Sequence, residues 1–167
     1  AINGSGSGDI PLGILNTSGI GAVALGANGA AATWAKIVEL ETAVHVANAN
    51  GVRMGYLINA ATRGHLKTTV KVSGQPQYLM GEDGRVNSYN TAVTNLVPSN
   101  LTKGSGSNLS AVVFGDFSQL IIGPWAFADL TIDRVTEGYH KFVINTFNDM
   151  GVRHAGAFAA IKDLVTA

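Results

Sequence analysis

The spacing of apolar and polar side chains predicts one amphipathic helix in the first third of the chain. Apolar side chains recur three and four residues apart from Trp34 to Ala47, and Asn50-Gly51 supplies a stop signal. We therefore expect a helix of about four turns that begins near Thr33. Residues 1–30 hold eight glycines and show no periodicity, which predicts a loop with at most one short strand.

Shorter apolar runs predict a second helix and several strands. Residues 52–59 form a short apolar run bounded by turn residues, as a buried strand does, and Asn59 is suited to cap a second helix that ends near Thr69. Further segments are predicted as an extended stretch at 86–97, a flexible loop at 103–108, a strand at 111–115, a tight corner at 116–119 and mainly strands from residue 128 onward. Helices early in the chain and strands late in it predict an α+β fold.

The chain carries few charges, and they cancel. Charged residues make up 13% of the sequence, with 11 Lys+Arg against 11 Asp+Glu, whereas about 25% is usual for soluble proteins. A neutral, weakly charged surface repels its own copies little, which points to self-association. A plain polar surface built from Asn, Ser, Thr and Gly explains the composition equally well, so composition leaves both interpretations open.

Several classes of function lack the residues they need. The chain has no cysteine, which excludes disulfides, thiolate metal sites and cysteine nucleophiles. The neutral charge and the lack of a basic stripe argue against sequence-specific binding of nucleic acid. No apolar run approaches the roughly 20 residues of a membrane span, so we expect no membrane partner.

The search for catalytic, cofactor and metal motifs predicts none. Gly19-Ile20-Gly21 with Ala24 spells G-x-G-x-x-A, but no strand is predicted before it and the first helix begins only near Thr33. Asp129 and Asp133 share one strand face about 13 Å apart, which is too far for the paired carboxylates of glycosidases. The four histidines form no H-E-x-x-H or other close pair: His45, His65, His140 and His154. We expect no enzymatic activity, cofactor or metal ion.

Five stretches, taken in order along the chain, resemble one family. They are AINGSGSGDIPLGILNT at 1–17, GYLINAATRGHLKT at 55–68, GRVNSYNTAVTNLVPS at 84–99, GSNLSAVVFGDFSQLIIGPW at 106–125 and VRHAGAFAAIKDL at 152–164. Each stretch is short, but together and in this order they resemble the major capsid proteins of tailed bacteriophages, which have the Hong-Kong-97-type fold.

The resemblance implies a domain assignment. Residues 1–152 would form the axial (A) domain, led in by the Gly/Ser-rich loop at 1–30, with a central mixed and mostly antiparallel sheet flanked by helices. Residues 153–167 would be the strand that returns to the peripheral (P) domain. The family's N-terminal arm, extended loop and spine helix would precede Ala1, so we expect a fragment that is a monomer or weak oligomer.

The resemblance also implies a function and partners. The protein would be a structural subunit of a phage or prophage head that self-assembles into hexamers and pentamers, found in the virion and, during assembly, in the host bacterial cytoplasm. Copies of itself would be its partners, with a scaffold or prohead protease during assembly. The alternative is a shell protein of an encapsulin-type bacterial nanocompartment. Candidate contacts between subunits lie in the turn 81–84 and the loop 99–107, and the residues are Gly81, Glu82, Asp83, Gly84, Asn100, Lys103 and Ser105.

Overall fold

The computed structural model of the chain describes residues 1–125 and 129–166. The predicted run of strands begins at Ala128, which lies outside the described residues. The helices are Trp34–Val46 (α1) and Ala60–Thr68 (α2). The strands are Gly21–Ala22 (β1), Met54–Ile58 (β2), Asn90–Val93 (β3), Leu101–Lys103 (β4), Gly106–Asp116 (β5), Leu120–Pro124 (β6), Asp129–Thr136 (β7), Tyr139–Asn145 (β8), Asn148–Val152 (β9) and Phe158–Leu164 (β10).

The main sheet has the strand order β1-β10-β5-β2-β3, and β4 pairs with β5 beside it. Strand β5 runs antiparallel to both β10 and β2, while β10 pairs in parallel with β1 and β2 pairs in parallel with β3. The prediction of an α+β fold on a mixed sheet flanked by helices is confirmed. Neither helix of the described chain has the length and apolar character that a membrane crossing requires.

Both helices begin at the caps that the sequence predicts. The Thr33 hydroxyl oxygen accepts a hydrogen bond from the Lys36 N–H at 3.4 Å, and the Asn59 side-chain oxygen accepts one from the Thr62 N–H at 2.7 Å. These bonds satisfy amide donors that have no partner within the first turn of a helix. Helix α1 buries Ile37, Leu40 and Val44, as its predicted periodicity requires.

Helix α1 packs closely on the sheet. The buried Tyr56 hydroxyl donates to the Ile37 carbonyl of α1 at 3.3 Å. At the sheet edge, a Cβ on Gly21 would lie only 3.0 Å from the Ala159 Cβ and 3.3 Å from the Ala43 Cβ. Glycine at position 21 therefore allows the helix and the edge of the sheet to approach each other.

The core is built on β5, β2 and β10. Phe114 lies at its centre, with ring centroids 4.5 Å from Tyr56 and 5.1 Å from Tyr89. Strand β10 contributes Phe158 and Ile161, both fully buried, to the same hydrophobic cluster. Residues on both sides of the boundary predicted between 152 and 153 therefore share one core. The assignment to A and P domains stays a prediction.

Two segments differ from their predicted conformation. The predicted loop at 103–108 is largely strand, because Lys103 and Gly106 are paired across a tight hairpin between β4 and β5. Gly104 adopts a positive φ of 57° there, and the Ser105 N–H donates to the Asn28 side-chain oxygen at 3.1 Å. The extended stretch predicted at 86–97 is a strand only at Asn90–Val93, since positive φ values at Asn87 and its neighbour make a turn before it.

Candidate assembly surface

Strands β6 to β9 lie outside the main sheet, and we term the described residues 120–125 and 129–152 the arm. Strand β6 pairs with β9, and β7 pairs with β8. The Trp125 N–H donates to the Phe147 carbonyl at 2.9 Å at the far end of the β6–β9 pair. Ten large hydrophobic side chains of the described arm are more than half exposed: Ile121, Ile122, Trp125, Leu130, Ile132, Val135, Tyr139, Phe142, Ile144 and Phe147.

The β7–β8 hairpin has one apolar and one polar face. Leu130 lies opposite Ile144, and Ile132 lies opposite Phe142. Directly opposed side chains of an antiparallel pair project from the same face. We term these four side chains the hairpin face. The Arg134–His140 pair continues this face toward the turn. The opposite face is mainly polar and carries the pairs Asp129–Asn145, Thr131–Val143 and Asp133–Lys141.

The exposure of the hairpin face is costly in water. An isolated two-stranded hairpin is at best marginally stable, and monomeric proteins rarely expose a large contiguous apolar patch. Burial of four half-exposed side chains of this size would contribute about 3–6 kcal/mol before the costs of association. Such a face is stabilised when a second surface covers it.

The β6–β9 pair carries a shallow groove, which we term the trough. On one face of this pair the register places Gly151 opposite Ile121 and Gly123 opposite Asp149. A Cβ added at Gly123 or Gly151 would meet no heavy atom within 4 Å, so the floor of the trough is open. The cavity measures about 320 Å³ and is lined by these residues together with Trp125 and the last residues of β9.

Charged side chains stand at the rim of the trough. Asp149 accepts a hydrogen bond from the Met150 N–H at 2.7 Å, and the Arg153 Nε donates to the Gln119 side-chain oxygen at 3.0 Å. No ion pair within the described residues involves Asp149 or Arg153. The trough therefore presents an apolar floor with charge at its edge.

The turn predicted at 81–84 forms as expected. The Gly84 N–H donates to the Gly81 carbonyl at 3.0 Å, and Gly84 has a φ of 76°. Glu82 and Asp83 are exposed, and Asp83 lies 3.8 Å from the Arg85 guanidinium. Their predicted role in contacts between subunits stays a prediction.

The predicted contact residues of the loop 99–107 have different environments. Asn100 and Ser105 are exposed, but Lys103 is half-buried and its ammonium lies 2.6 Å from the buried Asp163 carboxylate. The same carboxylate accepts hydrogen bonds from the Leu25 and Gly26 N–H groups at 3.0 and 3.3 Å. Lys103 thus helps to hold three segments of the chain together, and its contact role is untested. Within the described residues, no hydrogen bond or ion pair joins this loop to the turn 81–84.

Some titratable groups outside the arm pack against the core. Glu41 is half-buried and accepts hydrogen bonds from the Tyr89 hydroxyl at 3.0 Å and from the Asn87 amide. Burial raises the pKa of Tyr56 and lowers that of His65. Among the described residues no three histidine, aspartate or glutamate side chains gather as metal ligands would.

Solved capsid structures share this fold. The chain resembles the capsid of the native GTA particle with a TM-score of 0.66 and 22% identity, over 96% of this chain and 59% of that one. It resembles a chain of Gordonia phage Cozz with a TM-score of 0.59 and 16% identity, over 90% of this chain and 51% of that one. The predicted Hong-Kong-97-type fold is confirmed.

The family follows from a direct match. The model of the phage capsid family matches residues 1–163, so the chain belongs to that family. It is 29% identical over 165 residues to the major capsid protein of Halomonas phage phiHAP-1, which covers 97% of this chain but only 25% of that protein. The chain thus spans about a quarter of this curated relative. The family consists of structural capsid proteins and is not an enzyme family, as the resemblance implied.

Proposed function

We propose that the chain belongs to the structural subunit of a phage or prophage icosahedral head, which assembles with copies of itself into hexamers and pentamers. The observation that carries this proposal is the match of the phage capsid family over residues 1–163. A shell subunit must contact identical neighbours on several sides. The ten exposed hydrophobic side chains of the arm supply such a contact surface.

The composition supports the same proposal. With 11 acidic and 11 basic side chains, copies of the chain repel one another little. Many weakly charged contacts of modest strength allow a misplaced subunit to leave and rebind during assembly. The protein would reside in the virion and, before completion of the particle, in the host bacterial cytoplasm.

The finer assignments are part of the proposal. Residues 1–152 would form the axial domain, with the loop 1–30 leading into it, and residues 153–167 would return to the peripheral domain. A scaffold or prohead protease would act on the protein during assembly. The turn 81–84 and the loop 99–107 are proposed as additional contacts between subunits.

The alternative of an encapsulin-type nanocompartment shell is not favoured. The matching family is that of phage capsids, and the curated relative is a phage major capsid protein. Genes for a portal, a terminase and a prohead protease beside this gene would agree with a phage head. A neighbouring gene for a cargo enzyme would instead favour the nanocompartment.

Electron microscopy tests the proposed function. The complete gene product that contains these 167 residues should form rings or closed shells in negative stain after expression in bacteria. A variant with a buried core residue replaced, Phe114→Asp, should give no particles because the domain cannot fold, which shows that the particles depend on this fold. A complete product that stays strictly monomeric over a range of salt, pH and concentration would contradict the proposal.

A further inference from the structure

We propose that the buried carboxylate of Asp116 holds a bend in one continuous β-ribbon and thereby fixes the direction in which the arm leaves the main sheet. The bend lies at residues 116–119 and 153–157, which we term the joint. Asp116 is 1% exposed, and its hydrogen bonds all lie within the described residues. The inference deepens the proposed function and rests on it, because it assigns control of the shape of the subunit to one side chain.

The ribbon runs through two sheets. Strands β5 and β10 pair antiparallel in the main sheet, and the strands adjoining them in the chain, β6 and β9, pair antiparallel in the arm. The first pair ends with Gly115 opposite Phe158, and the second begins with Leu120 opposite Val152. Between them, each segment of the joint contains a 3₁₀ turn. Four residues, 116–119, face five, 153–157, so the ribbon bends as it does at a β-bulge.

Asp116 connects the joint to the loop before β2. Its carboxylate accepts a hydrogen bond from the Arg53 N–H of that loop at 3.2 Å. It also accepts hydrogen bonds from the Ser118 N–H at 3.0 Å and from the Ser118 hydroxyl at 2.7 Å, both in the first 3₁₀ turn. The carboxylate therefore determines how β5 ends and how the chain enters β6.

Gln119 extends this network to the second strand of the ribbon. Its side chain donates a hydrogen bond to the Asp116 carboxylate. Its side-chain oxygen accepts a hydrogen bond from the Arg153 Nε at 3.0 Å, and its carbonyl accepts one from the Arg153 N–H at 2.9 Å. Both connections between the main sheet and the arm are thus tied to one carboxylate.

The charge of Asp116 is what makes this network strong. Within the described residues no ion pair involves Asp116, so a buried negative charge depends on its hydrogen bonds alone. Hydrogen bonds to an ionised acceptor are about twice as strong as those between neutral groups. Replacement of the carboxylate by an amide would remove the charge and put an NH₂ donor where an acceptor oxygen stands.

The packing around the joint leaves space for the carboxylate. A Cβ on Gly51 would overlap the Asp116 carboxylate, and a Cβ on Gly115 would overlap the Ala157 carbonyl. Glycine at these two positions allows the loop before β2 and the two strands of the ribbon to close around Asp116. The joint is therefore built from several segments of the chain that fit one charged side chain.

The joint controls direction and not attachment. Among the described residues no strand of the arm pairs with a strand of the main sheet. Leu120 and Val152, at the base of the arm, pack against the core and keep the ribbon attached when the hydrogen bonds of Asp116 are lost. Where identical copies surround an axis, the direction of the arm sets the angle between neighbouring copies and hence the size of the particle.

Distances between paired spin labels test the joint in the complete gene product. These 167 residues contain no cysteine, so labels are placed by Val46→Cys on α1 and Ile122→Cys on β6, both exposed positions. Any other cysteine of the product is replaced by serine, and labelled copies are diluted with unlabelled copies. In Asp116→Asn the distribution of this distance should shift and broaden. The pair Val46→Cys/Leu96→Cys lies outside the arm, and its distribution should stay unchanged.

Asp9→Asn is the matched control, because it removes the same charge from an exposed side chain of the loop 1–30. Both distance distributions should stay unchanged in it. An Asp116→Asn protein with the natural distribution between positions 46 and 122 would overturn the inference. Equal broadening of both pairs would also overturn it, since Asp116 would then hold the whole domain. If Asp116→Asn does not fold, Ser118→Ala, which removes one donor and keeps the carboxylate, is judged by the same criteria.

The size of the particles separates this inference from the proposed function. Asp116→Asn should still assemble, but into particles of several diameters, whereas Asp9→Asn should give the uniform particles of the natural product in negative stain. Particles of Asp116→Asn with the single diameter of the natural product would overturn the inference. Failure of the unsubstituted product to assemble refutes the proposed function, and the label distances then decide on the joint by themselves.

Discussion

Ile132 and Phe142 lie directly opposite each other in the β7–β8 hairpin, and their side chains are 56% and 65% exposed. A cross-strand pair of this kind stabilises a sheet when a second layer covers it. Within the described residues, no layer covers this pair. In the main sheet, by contrast, Phe114 and Phe158 are fully buried. The contrast separates a surface that the core covers from one that the described residues leave exposed.

The first prediction concerns this contrast between arm and core. Phe142→Ser should change the free energy of unfolding by less than about 0.5 kcal/mol, because the side chain is exposed. Phe114→Ala, at the centre of the core, should cost about 3–5 kcal/mol. Urea denaturation measures both values, and binding of the dye ANS should fall in Phe142→Ser. A loss of several kcal/mol in Phe142→Ser would show that the hairpin face packs within its own chain.

The second prediction concerns the buried Asp163. Asp163→Ala removes the acceptor of the Lys103 ammonium and of two backbone N–H groups, so it should lower the free energy of unfolding by about 3 kcal/mol. Lys103→Met should cost less, about 1–2 kcal/mol, since the carboxylate keeps its N–H donors. The exposed pair Lys36–Glu39 is the control, and Lys36→Met should cost under about 0.5 kcal/mol. Equal costs for the two lysine variants would refute this role of Lys103.

The third prediction is a dependence on pH through Asp116. Burial acts to raise the pKa of Asp116, but hydrogen bonds from the Ser118 hydroxyl and N–H and from the Arg53 N–H outweigh burial and hold this pKa below its usual value. A carboxyl whose pKa is lower in the folded state stabilises the fold above its unfolded pKa of about 3.9, and the stabilisation is lost as the pH falls through the folded pKa.

The test of the Asp116 prediction compares two pH profiles. Asp116→Asn should be less stable than the natural chain at neutral pH, and the difference should shrink as the pH falls below about 4. Urea denaturation at a series of pH values measures the free energy of unfolding of both proteins. A difference that stays constant over the whole range would contradict the lowered pKa.

Local signals explain which parts of the fold were predictable. The caps Thr33 and Asn59 act within three residues of the helices that they start, so their effect is visible in the sequence alone. The hairpin at 103–106 depends on Asn28, which lies 77 residues from Ser105 in sequence. Glu41 and its partner Tyr89 lie 48 residues apart in sequence. Contacts over such separations leave no periodic pattern.

The sequence pattern does not identify the exposed apolar surface of the arm, for a related reason. The alternation of Leu130 with Ile132 and of Phe142 with Ile144 correctly indicates strands, but an alternating pattern predicts only that one face is covered. It does not say whether the cover comes from the same chain or from another. The residues predicted to contact other subunits lie mainly in turns and loops, whereas most of the exposed apolar side chains lie on strands of the arm.

The measurement that tests the account most directly is a cryo-electron microscopy reconstruction of particles assembled from the complete gene product. Side-chain density then locates each arm relative to its neighbours. We predict that five or six identical copies surround each axis of a closed shell, and that residues 1–125 and 129–166 of each copy adopt the fold described above. A complete product that forms no ring or shell of identical subunits, or in which these residues adopt another fold, would contradict the account.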